Sequence, residues 1–208
     1  MICVSIGKVG LKKCLKTVSD YELCELRLDL LKLDREELKK IFYASKELIA
    51  SYRKDKLTKA GRALLEFAIN GGVSFVDIDI NWNKADKDKI LKLARSKGVK
   101  TIISYHNNKI TPSLNELNKI LVKCKKHKPE IIKISCMSKS NADNLRLLSL
   151  LDQPEDIIVI GMGAKGQVTR VVAPLLGSFC TYVCLDQKNK TAPGQFSIGE
   201  IKKLCYSL

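Results

Sequence analysis

None of the eight cysteines in this 208-residue chain forms a C-x-x-C pair, which removes the usual sequence signals of a zinc ribbon or a dithiol redox site. Several lie in apolar runs such as "MICVSI" and "FCTYVCL", where thiols read as reduced core residues. Cys180 and Cys184 would share one strand face, too far apart for a disulfide. No apolar stretch approaches the length of a membrane span, and no charged segment followed by an apolar core starts the chain. The expectation is a cytoplasmic protein without a membrane partner. Histidine is scarce, with two residues, and acidic side chains (22) are outnumbered by Lys and Arg (37), leaving a net charge of +15. Yet the basic residues form no single tract and do not alternate with aromatics. They are spread through "LDREELKKI" and "KADKDKILKLARSKG" among acids, as expected of solvated helix faces. A modest steering effect on small anions is compatible with such a surface.

What is present is an ordinary globular composition, 45% hydrophobic and 28% charged, in a length suited to one compact domain over 1–208. Short apolar or alternating segments recur at 2–6, 24–30, 48–52, 75–80, 100–106, 131–135, 157–162 and 181–185. Between them lie amphipathic stretches of helical length: "REELKKIFYAS", "AGRALLEFAING", "KDKILKLARSKG", "SLNELNKILVKCKK", "SNADNLRLLSLL" and "QVTRVVAPLLG". Gly71 with Gly72, and Gly98, follow two of these, and Ser113 with Glu116 has capping-box spacing. Eight strands alternating with helices, with no linker between them, predict a minimal (β/α)8 TIM barrel, with a doubly wound open sheet as the alternative.

Successive strand residues point to opposite faces. In "CELRLDL" the leucines share one face, which puts Glu25, Arg27 and Asp29 on the other. "VDIDI" pairs Asp77 with Asp79, "SYRK" pairs Ser51 with Arg53, "ISYH" pairs Ser104 with His106, and "IIKIS" aligns Ile131, Lys133 and Ser135. Five consecutive strands thus carry ionisable groups toward one side. Satisfied buried networks, or solvent-facing edges of an antiparallel sheet, would explain one such strand. Repetition near the C-terminal strand ends, where barrel active sites lie, points instead to one polar pocket around Lys133. A lysine buried near guanidiniums loses proton affinity, so its neutral amine can attack a ketone. His127 sits in the basic run "KCKKHKPE", leaving His106 as the strand-end imidazole. A lysine nucleophile with a histidine acid/base is the equipment of Schiff-base chemistry.

"IIVIGMGAKGQVTR" contains a formal G-x-G-x-x-G at Gly161, Gly163 and Gly166, with Asp186 at a dinucleotide-like distance. It falls at the seventh strand, too late for a dinucleotide fold, which needs several strands after its fingerprint. In a barrel, glycines here would let backbone approach a ligand.

In order along the chain, "ELRLD" (25–29), "SYR" (51–53), "DID" (77–79), "ISYH" (103–106), "IIKIS" (131–135), "GMGAKGQVTRV" (161–171) and "TAPGQFS" (191–197) resemble type I 3-dehydroquinate dehydratases nearly end to end. The resemblance implies a (β/α)8 homodimer that dehydrates the small molecule 3-dehydroquinate in the shikimate pathway, without metal or organic cofactor and without nucleic acid. It implies Lys133 as the imine-forming lysine, His106 as the proton donor and acceptor, and Arg170 as the clamp for the substrate carboxylate. Glu25, Arg27, Arg53, Thr191 and Gln195 would bind the substrate, with Asp77 and Asp79 supporting them from behind. Three departures stand out. The chain starts almost directly on its first strand, without the N-terminal hairpin common in the family. Thr191 stands where a serine is usual before "APGQ". The loop after Arg53, "KDKLTKAG", lacks a glutamate that commonly orients the histidine, leaving Asp55 or Asp79 as substitutes. "TAPGQFS" would then be a lid that brings Gln195 in on closure. A class I aldolase would also use the lysine, but no phosphate-binding loop rich in Ser or Gly is evident after strand seven. A basic nucleic-acid-binding protein, suggested by charge alone, would leave the inward polar residues without a role.

Overall fold

The computed structural model describes residues 1–54 and 56–205. Its strands are β1 (Ile2–Ile6), β2 (Leu23–Arg27), β3 (Glu47–Ser51), β4 (Phe75–Asp79), β5 (Lys100–Asn107), β6 (Ile131–Met137), β7 (Ile157–Met162) and β8 (Thr181–Cys184). They alternate with α1 (Leu11–Asp20), α2 (Arg35–Ala44), α3 (Lys59–Asn70), α4 (Lys84–Ser96), α5 (Leu114–Lys125), α6 (Asn141–Leu148), α7 (Gln167–Leu175) and α8 (Ile198–Cys205). This is the (β/α)8 fold. No helix among the described residues is long and apolar enough to cross a membrane.

The chain divides into two compact units, 3–101 and 102–208 together with 1–2. In the first, β1 to β4 pair in chain order, all parallel, with Cys3 opposite Leu23, Glu25 opposite Ile49, and Ile49 opposite Phe75. In the second, β5, β6 and β7 do the same, with Ile132 between Ile103 and Ile157. A doubly wound sheet reverses its strand order at a switch point; neither unit contains such a reversal. Parallel strands covered on both faces become near-continuous apolar runs, as in β7, whose six residues are all buried.

Local chemistry sets the helix ends. Full capping boxes start α2 (Asp34 with Glu37), α5 (Ser113 with Glu116) and α6 (Ser140 with Asp143), each satisfying backbone donors that a helix leaves open. Thr58 and Asn83 cap α3 and α4 through their side chains. Gly72 and Gly98 take φ of 83° and 67° after α3 and α4, the left-handed turn that glycine makes without steric cost.

Four elements differ from the sequence-based expectation. The strand expected over 24–30 ends at Arg27, because Leu30 N and Leu31 N turn back to Arg27 O; Asp29 belongs to that turn. The stretch expected as one helix to 151 passes from α6 into a 3-10 turn at Ser149–Leu151. Helices α1 and α8, implied by the (β/α)8 reading, lie in segments that the quoted amphipathic stretches do not include. Seven cysteines are free and buried, and burial pushes the thiols of Cys14, Cys24 and Cys136 up to about 12, which keeps them protonated and inert.

Candidate active site

In the unit containing residues 102–208, the parallel register places Ser104 of β5 and Ile158 of β7 opposite Lys133. His106 lies opposite Ser135, on the same face and two residues further along, about 7 Å up the strand. Lys133 is 4% exposed. Its Nζ lies 3.8 Å from the centroid of the Tyr182 ring on β8, where the negative face of the aromatic attracts a cation.

The same tyrosine anchors the guanidinium of α7. Arg170, 2% exposed, donates from Nη1 to Tyr182 O (3.2 Å) and from Nη2 to Pro193 O (3.1 Å). Its Nε has no hydrogen-bond partner among the described residues. Burial lowers the guanidinium to about 10, so it is still a cation at neutral pH. A buried guanidinium bonded to carbonyls, with no carboxylate ion pair among the described residues, is receptive to an anion.

The glycines of "GMGAKG" hold α7 and the loop after β8 in place. A Cβ on Gly166 would sit 2.3 Å from Gly161 C, and one on Gly194 would sit 2.3 Å from Gly163 O. Thr169, beside Arg170, accepts from Gly161 N and donates to Gly166 O, both at 2.7 Å. The close approaches at Gly166 and Gly194 are of backbone to backbone. In the segment 191–197, read from the sequence as a lid, Gln195 is buried at 1% exposed, and its Oε1 accepts from Thr191 N and Thr191 Oγ1 at 3.0 and 3.1 Å.

In the unit of residues 3–101, Glu25 on β2 accepts from Ser5 Oγ of β1 at 2.5 Å, both side chains buried. Arg27, at the end of β2, grips Asp29 with Nε (3.0 Å) and Nη2 (2.8 Å). Burial pulls its guanidinium down, but the hydrogen bond to Asp29 and the charges of Glu25 and Asp29 outweigh this, and the net shift is upward. Arg53, just after β3, pairs with Asp77 of β4, which is fully buried. Asp79 ends β4, where its Oδ1 accepts from Asn81 N at 2.9 Å. Asp55 lies outside the described residues. Of the expected site residues, Arg53 and Asp77 are paired in this unit, and Thr191 and Gln195 in the other. Three contributors escaped the sequence reading: Ser5, Thr169 and Tyr182. Strand alternation in "TYVC" could have flagged Tyr182; nothing in the sequence pairs Ser5 with Glu25.

A family model described as Type I 3-dehydroquinase matches residues 2–208. The 3-dehydroquinate dehydratase of Methanocaldococcus jannaschii is 32% identical over 219 aligned residues, covering 98% of this chain and 97% of that protein. That of Methanosarcina acetivorans is 36% identical over 141 residues, 66% of this chain and 58% of that protein's length. The solved 3-dehydroquinate dehydratase from Geobacillus kaustophilus has a TM-score of 0.86 at 22% identity, covering 100% of this chain and 90% of that one.

Proposed function

Because the chain belongs to the type I 3-dehydroquinase family, we propose that it is a hydro-lyase converting 3-dehydroquinate to 3-dehydroshikimate and water through an imine on Lys133. The observation that carries this reading is a lysine held 4% exposed in the middle of an apolar parallel strand, with an imidazole on the same face of the neighbouring strand.

The neutral Lys133 amine adds to the C3 ketone, and the carbonyl oxygen departs as water once protonated, leaving a protonated imine. That cation draws electrons from C2, and His106 removes the C2 proton; the released pair passes toward the nitrogen as an enamine. His106 then returns the proton to the C1 hydroxyl, which leaves as water while the electrons move back to form the C1–C2 double bond. Hydrolysis of the imine consumes one water, restores the ketone and frees Lys133, so the net change is loss of one water. Arg170 is assigned the substrate carboxylate, a task that its open Nε and buried charge suit. Thr191 and Gln195 contribute polar contacts from the loop after β8, and Glu25, Arg27 and Arg53 bind hydroxyls and carbonyl. Asp77 and Asp79 support that set, Asp77 by its ion pair with Arg53. The reading also takes the chain as one catalytic domain in the cytoplasm, needing no cofactor or nucleic acid. It takes the protein as a homodimer, a state suited to the exposed apolar side chains Val168 and Leu175 on α7, Leu176 just after it and Leu145 on α6.

Incubation with 3-dehydroquinate, borohydride reduction and peptide mapping should place one adduct on Lys133. Lys133→Ala should abolish turnover, and His106→Ala should leave slow imine formation with stalled elimination. An adduct on another lysine, or none, overturns the mechanism. Cleavage of a phosphorylated hydroxy-ketone through the same adduct would favour an aldolase instead.

A further inference from the structure

Tyr182 belongs to none of the sequence motifs and has no part in the scheme above, yet its ring covers the reacting nitrogen. Nζ of Lys133 stands 3.8 Å from the ring centroid, well inside the roughly 6 Å range of cation–π attraction. Both residues are buried, so water screens the interaction little. The ring is also held from its backbone side. Arg170 Nη1 bonds to Tyr182 O, and the preceding residue, Thr181, donates its N–H to Met1 O at 3.0 Å. Within this unit, strand alternation and register set His106 on β5 on the Lys133 side and Tyr105 on the other, Cys136 of β6 faces away from Lys133, and β8 brings Tyr182, with Arg170 of α7 reaching that strand at the Tyr182 carbonyl. β7 presents Ile158 at that register. A cationic His106 or Arg170 favours a neutral lysine, whereas the aromatic face favours a charged one.

Building on the imine reading above, we infer that the Tyr182 ring is a positioning and electrostatic partner of Lys133, seating its ammonium and then stabilising the protonated imine that replaces it. The same nitrogen carries the positive charge twice, as the resting ammonium and as the protonated imine left by loss of water, and is neutral as the attacking amine and as the enamine formed when the C2 proton is removed. A ring fixed over that atom therefore acts in both charged states. Its effect has two opposite signs. It holds back deprotonation of the free amine, and it lowers the energy of the cationic intermediate from which the proton is taken.

Replacing the aromatic face by an aliphatic wall separates the two effects. In Tyr182→Leu the Lys133 pKa should fall by about one unit, giving about ten times more neutral amine at a pH below it. The trapped imine should still form, while kcat drops about tenfold and KM changes little. Tyr182→Phe keeps the ring and should titrate and turn over like the parent. The amine is followed without substrate by carbon-13 NMR titration of labelled lysine ε-carbons, with the Lys133 signal identified by its loss in Lys133→Met. Because the leucine variant could fold poorly, phenylalanine and 3,4,5-trifluorophenylalanine placed at position 182 give a nearly isosteric pair with rich and depleted ring faces. The trifluoro ring should lower the pKa as leucine does. Equal titration of the two rings, or a Tyr182→Phe shift as large as that of Tyr182→Leu, overturns the inference. Lack of a borohydride-trapped adduct in the parent protein would instead sink the imine reading, and the substrate-free titration would still report on the ring.

Discussion

Gly166→Ala tests how the end of β7 positions the guanidinium of α7. The new Cβ would lie 2.3 Å from Gly161 C, 2.5 Å from Gly161 O and 2.7 Å from Met162 O. All three atoms are backbone, so no flexible side chain can swing aside; reaching ordinary contact requires the two segments to part by about 1 Å. Overpacking of this kind costs about 1–3 kcal/mol, and at this chain length each kcal/mol lowers Tm by roughly 2–4 °C. A drop of about 5 °C in a thermal scan is therefore expected. Helix α7 begins at Gln167 and carries Arg170 in its first turn. Its displacement moves the proposed carboxylate clamp, and a 1 Å error in substrate positioning costs on the order of 100-fold in kcat/KM. Gly199→Ala in α8 is the control, since nothing lies within 4 Å of its added Cβ. It should raise stability by up to ~1 kcal/mol through helix propensity and leave activity unchanged. Parental Tm and kcat/KM in Gly166→Ala would refute the packing account.

Arg170→Met should remove affinity for a carboxylate substrate, raising KM at least ~100-fold, with a small effect on stability. The fall of the guanidinium from 12.5 to about 10 through burial corresponds to a penalty of about 3 kcal/mol that methionine does not bear. The Tyr182 and Pro193 carbonyls lose charged donors at ~1–3 kcal/mol each, so urea unfolding should show a net change within ~2 kcal/mol; a far larger loss contradicts this balance. Acid should destabilise the protein. Hydrogen bonds from Asn83, Ser113, Lys125 and Ser197 hold Asp86, Glu116, Glu155 and Glu200 below their ordinary values of 3.8 and 4.5. As pH falls, the unfolded chain therefore takes up these protons first. The stabilisation is complete above those values and is lost as pH drops through the lower native ones. Urea midpoints should be little changed from pH 7 to 5.5 by these groups and lower at pH 3; an unchanged midpoint at pH 3 would show that these bonds do not matter. Ser5→Ala leaves a buried Glu25 oxygen without its Ser5 donor and should cost about 1–3 kcal/mol in the same assay.

The sequence by itself determined what depends on neighbours along the chain. Period-2 alternation put Lys133 with Ser135 and Ser104 with His106, and the register across β5 and β6 agrees. Capping chemistry is equally local, so Ser113 and Glu116 marked the start of α5 from spacing alone. The chain-order rule for strand–helix repeats gave the fold class. Alternation also misled: Leu28 and Leu30 continue the pattern of β2, yet the chain turns there because Leu30 N and Leu31 N reach back to Arg27 O. Only the tertiary structure decided the rest. Tyr182 meets Lys133, Arg170 divides its donors between two carbonyls, and Gly161 and Gly163 press against Gly166 and Gly194. These contacts lie beyond the reach of strand alternation or capping spacing, and their strength comes from burial. The same aromatic ring, guanidinium or glycine in water would carry little of the energy that desolvation and close packing give it here.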